Sequence, residues 1–330
     1  MTTLPSLLRD GKAAFVSISS DLSGALPPAM SFLAPGDATP VPASPGGYSA
    51  VYAFGDSLSD AGNVSLATLH TVPNAPYDGG RFSNGPVWVQ DLSQDLGLPP
   101  VKPSLAGGTD YAFGGAQTGS TSVHQANPTD LPGQLAQFLV NDPHPSSSAL
   151  YTVWAGSNDV LDIANDADLT PAEQQDDVRA AVANEVNFLQ GLTSAGARDL
   201  VVMNVPDLGK TPYEQARGSD VSAQASSLAS DYNAQLATAV SQMVASGAAK
   251  VELVDMYSML DAVIANPAAY GFTNATQPVW NGSLTDPSSG TLAATGTAQD
   301  GYVFFDPLHP TAQAHSLIGQ GVAHALTGTS

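Results

Sequence analysis

The chain contains no cysteine. That excludes disulfide staples, thiol nucleophiles and thiolate metal sites, and leaves the redox compartment open. Positive charge is almost as scarce: nine Lys and Arg stand against 30 Asp and Glu, a formal net charge of −21. A surface of that sign repels phosphate backbones and anionic bilayers, so nucleic acid is not an expected partner and electrostatic docking on a membrane is disfavoured. Long apolar runs are missing as well, and none approaches the roughly 20 residues needed to cross a bilayer. The six histidines (His70, His124, His144, His309, His315 and His324) show no metal-ligand spacing, and no metal or organic cofactor is expected.

What is present is a globular composition. Apolar residues make up 43% and charged residues 12% of 330 positions, enough to bury a sizeable core in one large domain or two small ones. Arg9 and Lys12 precede the apolar stretch from Ala13 to Ile18, but Ser20 and Asp21 end it short of a signal-peptide core. We expect a secreted or extracellular protein, reached by another export route or recorded without its signal, with the cytoplasm as the alternative. Seven of the 25 prolines lie within residues 1–45, so residues 1–47 read as an irregular leader ahead of a domain over 48–330.

From about residue 48 apolar strand candidates alternate with helical stretches. The strands are Ala50–Phe54, Asp110–Phe113, Ala149–Trp154, Asp199–Val205 and Lys250–Val254. Between them, residues 214–246 carry Val221, Ala225, Leu228, Tyr232, Leu236, Val240 and Met243 at helical spacing. A second helix runs over 171–194, with Thr170-Pro171 as its start signal and Glu173 in its first turn. The alternation predicts an α/β protein with a mostly parallel sheet covered on both faces. Residues 266–301 break the rhythm. They are rich in Gly, Ser, Thr, Asn and Pro, and read either as a wall or lid of a site or as a solvated loop.

The strand ending at Phe54 passes through Gly55-Asp56-Ser57-Leu58 into a helix start. A hydroxyl is thereby placed at the carboxyl end of a strand, where open α/β sheets carry their reactive groups. A serine is a weak nucleophile until a base takes its proton, and imidazole suits that task near neutrality once a carboxylate fixes its tautomer. Asp306-Pro-Leu-His309 offers both groups in one turn. His315 is a rival base, but only His309 has Asp306 three residues before it. Acyl transfer also needs donors aimed at an oxyanion. Tyr111–Gly119 and Trp154–Asp159 fit, since both follow strand candidates and would reach the same sheet edge as Ser57. Taken singly, Gly114-Gly115 reads as a tight turn and Asn158-Asp159 as a helix N-cap.

In this order the segments resemble the GDSL esterases and lipases of the SGNH hydrolase superfamily. Gly55-Asp56-Ser57-Leu58, the glycine closing Ala112-Phe-Gly-Gly115, Gly156-Ser-Asn158-Asp159 and Asp306-Pro-Leu-His309 match the four blocks of that family. The likeness covers about residues 48–326 and extends to Gly80–Trp88 and Asn204–Gly209. It implies a three-layer α/β/α, flavodoxin-like sandwich around about five parallel strands. It implies a serine carboxylester hydrolase that works through an acyl-enzyme on a small-molecule, lipid or carbohydrate ester. Ser57 would be the nucleophile, His309 the base and Asp306 its orienter, with the Ser57 and Gly115 N–H groups and the Asn158 amide forming the oxyanion hole.

A carbohydrate O-acetyl esterase or an acyltransferase would use the same site. A non-catalytic binding protein on this fold is disfavoured, because Ser57, Asp306 and His309 are all intact. The G-x-S-x-G elbow of α/β-hydrolases is missing. Plant-type relatives often carry cysteines after the segment matching Asn266–Phe272; their lack here means that any rigidity those disulfides give is absent or achieved differently, which favours a mobile loop. Asp60 and Asn63 are expected to shape the turn after Ser57. Tyr77, Phe82 and Trp88 read as either acyl-pocket or core residues.

Overall fold

The computed structural model describes residues 46–283 and 289–327. The expected leader therefore lies almost wholly outside the described residues, as does the 284–288 portion of the expected loop. Four strands, β1 (Val51–Gly55), β2 (Leu150–Trp154), β3 (Asp199–Met203) and β4 (Lys250–Val254), pair in that order and all run parallel. Val51 pairs with Leu150, Leu150 with Asp199 and Asp199 with Lys250, so the carboxyl ends of all four line up along one edge. Nine helices accompany them among the described residues: α1 (Asn63–Ala67), α2 (Trp88–Asp95), α3 (Leu131–Asn141), α4 (Ser157–Asn165), α5 (Pro171–Ala195), α6 (Pro212–Gln215), α7 (Ser219–Ala245), α8 (Met256–Ala265) and α9 (Ala312–Thr327).

Successive side chains on a strand face opposite ways, and both faces here are apolar. On one, Phe54, Tyr151, Val153, Leu200 and Val202 join a core with α3, α4, α5 and α7. On the other, Val51, Ala53, Leu150, Trp154, Val201 and Met203 pack with α2 and α9. The three-layer α/β/α sandwich follows from this division. In α7 six of the seven residues that the helical spacing singles out are buried, Ala225, Leu228, Tyr232, Leu236, Val240 and Met243, while Val221 is half-buried. The α5 start carries the capping box between Thr170 and Glu173.

Two expectations need correction. The helix over 214–246 is interrupted at Gly218, leaving the short α6 ahead of α7. Asp110–Phe113 is not a full strand. It does lie parallel against β1, with Tyr111 N–H donating to Ala53 O and Phe113 N–H to Gly55 O. The chain is too short there to extend the ladder, because Asp110 also bonds back to the Lys102–Ser104 segment. Counting this segment second in sequence, the spatial order becomes 2-1-3-4-5, the flavodoxin-like arrangement, whose switch point lies between β1 and β2. The carboxyl ends of those two strands lead directly to Ser57 and Asn158.

Candidate active site

Gly55 makes the first turn of the site possible. Its φ is +137°, and a Cβ there would lie 1.9 Å from the Trp154 carbonyl oxygen. Only glycine lets β1 run this close to β2 while turning toward the helix side. Gln134 fixes the same residue from α3, accepting its N–H at 2.9 Å and donating to its carbonyl at 2.7 Å. Ser57 then stands at the edge of a cleft with its Oγ 2.9 Å from His309 Nε2. His309 Nδ1 lies 2.6 Å from Asp306 Oδ2. A carboxylate can only accept, so Nδ1 carries the proton and Nε2 is free to take one from Ser57.

Asp306 is held from several sides. Its Oδ1 accepts the N–H groups of Leu308 and His309, each at 2.7 Å, which folds Asp306-Pro-Leu-His309 into a tight Asx turn. Burial works against its charge, but His309, its hydrogen bond and the further donors hold its carboxyl below the usual carboxylate range. For His309 burial likewise works against the charged form, yet the Asp306 charge and hydrogen bond, with a contribution from Asp56, raise it above the ordinary imidazole value of 6.5. Asp56 itself is pushed up to about 7, chiefly by burial. Its Oδ1 accepts Leu58 N–H at 2.9 Å while its Oδ2 has no partner among the described residues.

Around Ser57 the donors are arranged by buried acids and amides. The N–H groups of Ser57 and Gly115 donate to no acceptor among the described residues. Asp60 accepts the N–H groups of Gly62, Asn63 and Val64 at the start of α1 and also that of Gly114, at 2.9 Å. Asn63 Nδ2 reaches the carbonyls of Asp110 and Ala112. The two residues therefore shape the turn after Ser57, as expected, and in addition tie it to the glycine segment. From the other side Asn158 Nδ2 donates to Ala116 O at 2.8 Å, which uses one of its two amide hydrogens. Asp159 accepts both the N–H and the Oγ1–H of Thr118. Gly156 permits this close seating: its φ is +95°, and a Cβ there would meet the Tyr232 ring at 2.6 Å.

His315 is not brought to the site's reacting atoms. It is buried on α9 against the start of α2, its Nδ1 accepts Trp88 N–H at 3.3 Å, and burial pushes it down to about 3. Tyr77, Phe82 and Trp88 do not line the cleft. Trp88 is a core residue that donates Nε1–H to Ser59 Oγ, and the Phe82 ring lies tilted by 34° at 5.3 Å from the His309 ring. Tyr77 donates its O–H to Asp306 Oδ2 at 2.5 Å. The cleft is walled instead by α8, α9 and the segments before His309. It encloses about 90 Å3 and runs from Ser57 and His309 past Met259, Leu260, Val263, Phe272, Phe304 and Leu317. Sequence reasoning missed the α8 and α9 part of this wall, because periodicity shows that a helix face is buried without showing whether it faces a core or a cavity.

The described part of 266–301 contributes Phe272 to that wall. It then runs behind the Asp306 turn, with Val279 N–H donating to Phe304 O and Trp280 N–H to Phe305 O. Among the described residues no group of three or more His, Asp or Glu side chains is placed to hold a metal ion. No helix there is long and apolar enough to cross a membrane.

The buried acids carry a consequence for stability. Burial raises Asp56 and Asp159 to about 7 and Glu185 to about 8. A carboxyl raised in the folded state binds its proton more tightly there than in the unfolded chain. Its contribution is complete below the unfolded value and lost as pH rises through the folded one. His315, lowered to about 3, acts in the opposite sense, but only below its unfolded value of 6.5. From pH 6.5 to about 8 the decline is therefore unopposed by that histidine, and His309 adds to it. Thermal melts at constant ionic strength are expected to show Tm falling across this interval; a Tm that rises from pH 6.5 to 8 would contradict it.

The sequence pattern of the GDSL-like Lipase/Acylhydrolase family matches residues 51–322. A GDSL esterase/lipase of Arabidopsis thaliana is 30% identical over 319 residues, covering 82% of this chain and 85% of that protein. A phosphatidylcholine-sterol acyltransferase of Aeromonas hydrophila is 27% identical, with 86% and 80% covered. An acetylesterase of Thermothelomyces thermophilus is 28% identical, with 84% and 87% covered. The match takes in every block that converges on this cleft, and the chain belongs to the GDSL-like lipase and acylhydrolase family of carboxylic ester hydrolases.

Proposed function

We propose that the protein hydrolyses esters of aliphatic acids through an acyl-enzyme on Ser57. The observation that carries this reading is the Ser57–His309–Asp306 relay, with separations of 2.9 and 2.6 Å, at the mouth of an apolar cleft. Ser57 Oγ attacks the ester carbonyl carbon as its proton passes to His309 Nε2. Negative charge develops on the carbonyl oxygen, toward which the N–H groups of Ser57 and Gly115 and the second amide hydrogen of Asn158 are free to donate. The bond to the alcohol oxygen breaks as His309 returns the proton to it. Water, deprotonated by the same imidazole, attacks the acyl carbon; the acid leaves and Ser57 recovers its proton. Asp306 stays ionised throughout and stabilises the imidazolium that forms twice in each cycle.

The cleft's lining selects among substrates. Met259, Leu260, Val263 and Leu317 offer aliphatic contact and no charge, which favours an acyl chain longer than acetyl. Leu260 is half-buried on α8, so a larger side chain there fills the cleft at little expense to the core. Leu260→Trp is expected to reduce kcat/KM for a p-nitrophenyl decanoate by roughly 10- to 100-fold relative to the acetate, the discrimination that a few methylenes allow. Equal changes for both esters would remove the chain from this cleft. A second reading, transfer of the acyl group to an alcohol in place of water, is favoured by the acyltransferase among the relatives. Product analysis with a long-chain alcohol added separates the two.

A further inference from the structure

The Tyr77 hydroxyl is the one side-chain donor, besides His309 itself, that reaches Asp306 among the described residues. It approaches the same oxygen, Oδ2, at 2.5 Å, while His309 Nδ1 lies 2.6 Å away. Together with the two backbone N–H groups on Oδ1, this brings four donors to one carboxylate, its full acceptor capacity. We propose that Tyr77 is a positioning residue of the active site, whose O–H fixes the Asp306 carboxylate and tempers its proton affinity, and through it the basicity of His309. The proposal rests on the reading of Ser57, His309 and Asp306 given above.

The surroundings hold the phenol to this task. Its ring is buried and caged by edge contacts with Trp280 at 5.1 Å, Phe305 at 5.2 Å and Phe82 at 6.3 Å. Phe82 is also the neighbour of the His309 ring, so one aromatic cage fixes both partners of Asp306. Trp280 comes from the 266–301 segment and Phe305 directly precedes Asp306, which ties that segment to the geometry of the relay. Burial and the Asp306 charge push Tyr77's own ionisation far upward. It therefore remains a donor across the neutral pH range. When His309 becomes imidazolium, the Tyr77 O–H keeps Asp306 a weaker base and leaves the Nδ1 proton on the imidazole.

A buried tyrosine needs some hydrogen-bond partner in any protein, so the test must read more than stability. Tyr77→Phe keeps the ring in its cage and removes only the O–H. Asp306 then becomes more basic and stabilises the imidazolium more strongly. Because His309 must be neutral to act, the acidic limb of the kcat/KM profile is expected to move up by roughly half a unit to one unit. The plateau kcat is expected to fall about 3- to 10-fold with KM unchanged, because the carboxylate has lost the donor that fixes its orientation and the loss of positioning outweighs the stronger pull on the imidazolium. The other groups facing His309 are Asp56, beyond β1, and His315, on α9; both are unaltered by the substitution.

A second measurement applies whether or not the phenylalanine variant folds. Global replacement of the 10 tyrosines by 3-fluorotyrosine makes the phenol a stronger donor, and the limb is expected to move down instead. Opposite shifts in the two proteins support the proposal. An unchanged limb and kcat in Tyr77→Phe, or a fluorotyrosine enzyme whose limb stays in place or moves up, would overturn it. Ser57→Ala, assayed alongside, keeps the two readings apart. An inactive Ser57→Ala with a wild-type profile in Tyr77→Phe removes Tyr77 alone, whereas an active Ser57→Ala removes the relay reading itself.

Discussion

Ser57→Ala is expected to lower kcat for a short-chain aryl ester by roughly 10⁴- to 10⁶-fold, the scale on which a triad nucleophile acts as a unit with its base. The size of the effect follows from geometry. Among the described residues Ser57 Oγ has one hydrogen-bond partner, His309 Nε2 at 2.9 Å, and nothing else on the relay is placed to attack a carbonyl. Removing one oxygen leaves the Asx turn, the Asp306–His309 bond and the donors on the 110–118 segment intact. Tm should therefore change little, and KM should stay within about threefold of wild type if substrate binding lies in the apolar cleft. Residual turnover would come from the oxyanion donors alone. Steady-state kinetics with circular dichroism melts reads all three quantities; a variant that keeps more than a few per cent of wild-type kcat contradicts the mechanism.

The second large effect belongs to Asn158. In the proposed mechanism truncation to alanine removes a donor to the developing oxyanion, and it is expected to reduce kcat by roughly 10²- to 10³-fold. It also removes the 2.8 Å bond to Ala116 O, so a stability loss on the order of 1–3 kcal/mol should accompany the kinetic one. The two losses are separable. Asp159 still holds Thr118 through two hydrogen bonds and Asp60 still holds Gly114, so the segment that carries Gly115 keeps its path. A variant that melts a few degrees lower yet turns over at the wild-type rate would remove Asn158 from the oxyanion site and leave it a purely structural clamp.

Much of this protein was legible in its sequence, and the reasons are specific. The apolar run before Gly55 predicts a buried parallel strand, and β1 occupies Val51–Gly55. The Thr170-Pro171 and Glu173 signals predict the α5 start that the capping box provides. The relay was legible because its parts are local: Asp306 and His309 sit in one turn, and Ser57 and Asn158 each follow directly on a strand end. Other features are not local. Tyr77 and Asp306 are 229 residues apart, and nothing in the composition around Tyr77 distinguishes a phenol aimed at a carboxylate from one packed in a core. The same holds for Gln134, whose bonds to Gly55 depend on how α3 crosses the sheet. The fifth strand position failed for a different reason. Asp110–Phe113 has the apolar pattern of a strand, yet the side chain of Asp110 is committed to the N–H groups of Ala61 and Ala112, and the chain turns away after a few residues. The part of the cleft wall formed by α8 and α9 was unreadable because these helices present ordinary apolar faces; only the packing shows that part of each faces a cleft.

Covalent labelling is the most direct test of the site. A fluorophosphonate that inhibits serine hydrolases should react once per chain, abolish ester hydrolysis in proportion to its incorporation, and appear by peptide mass spectrometry on Ser57. Labelling should slow as pH falls through the raised value of His309, because the protonated imidazole no longer accepts the serine proton. An adduct on another residue, or full activity in a protein whose Ser57 is quantitatively modified, would contradict the assignment of Ser57 as the nucleophile.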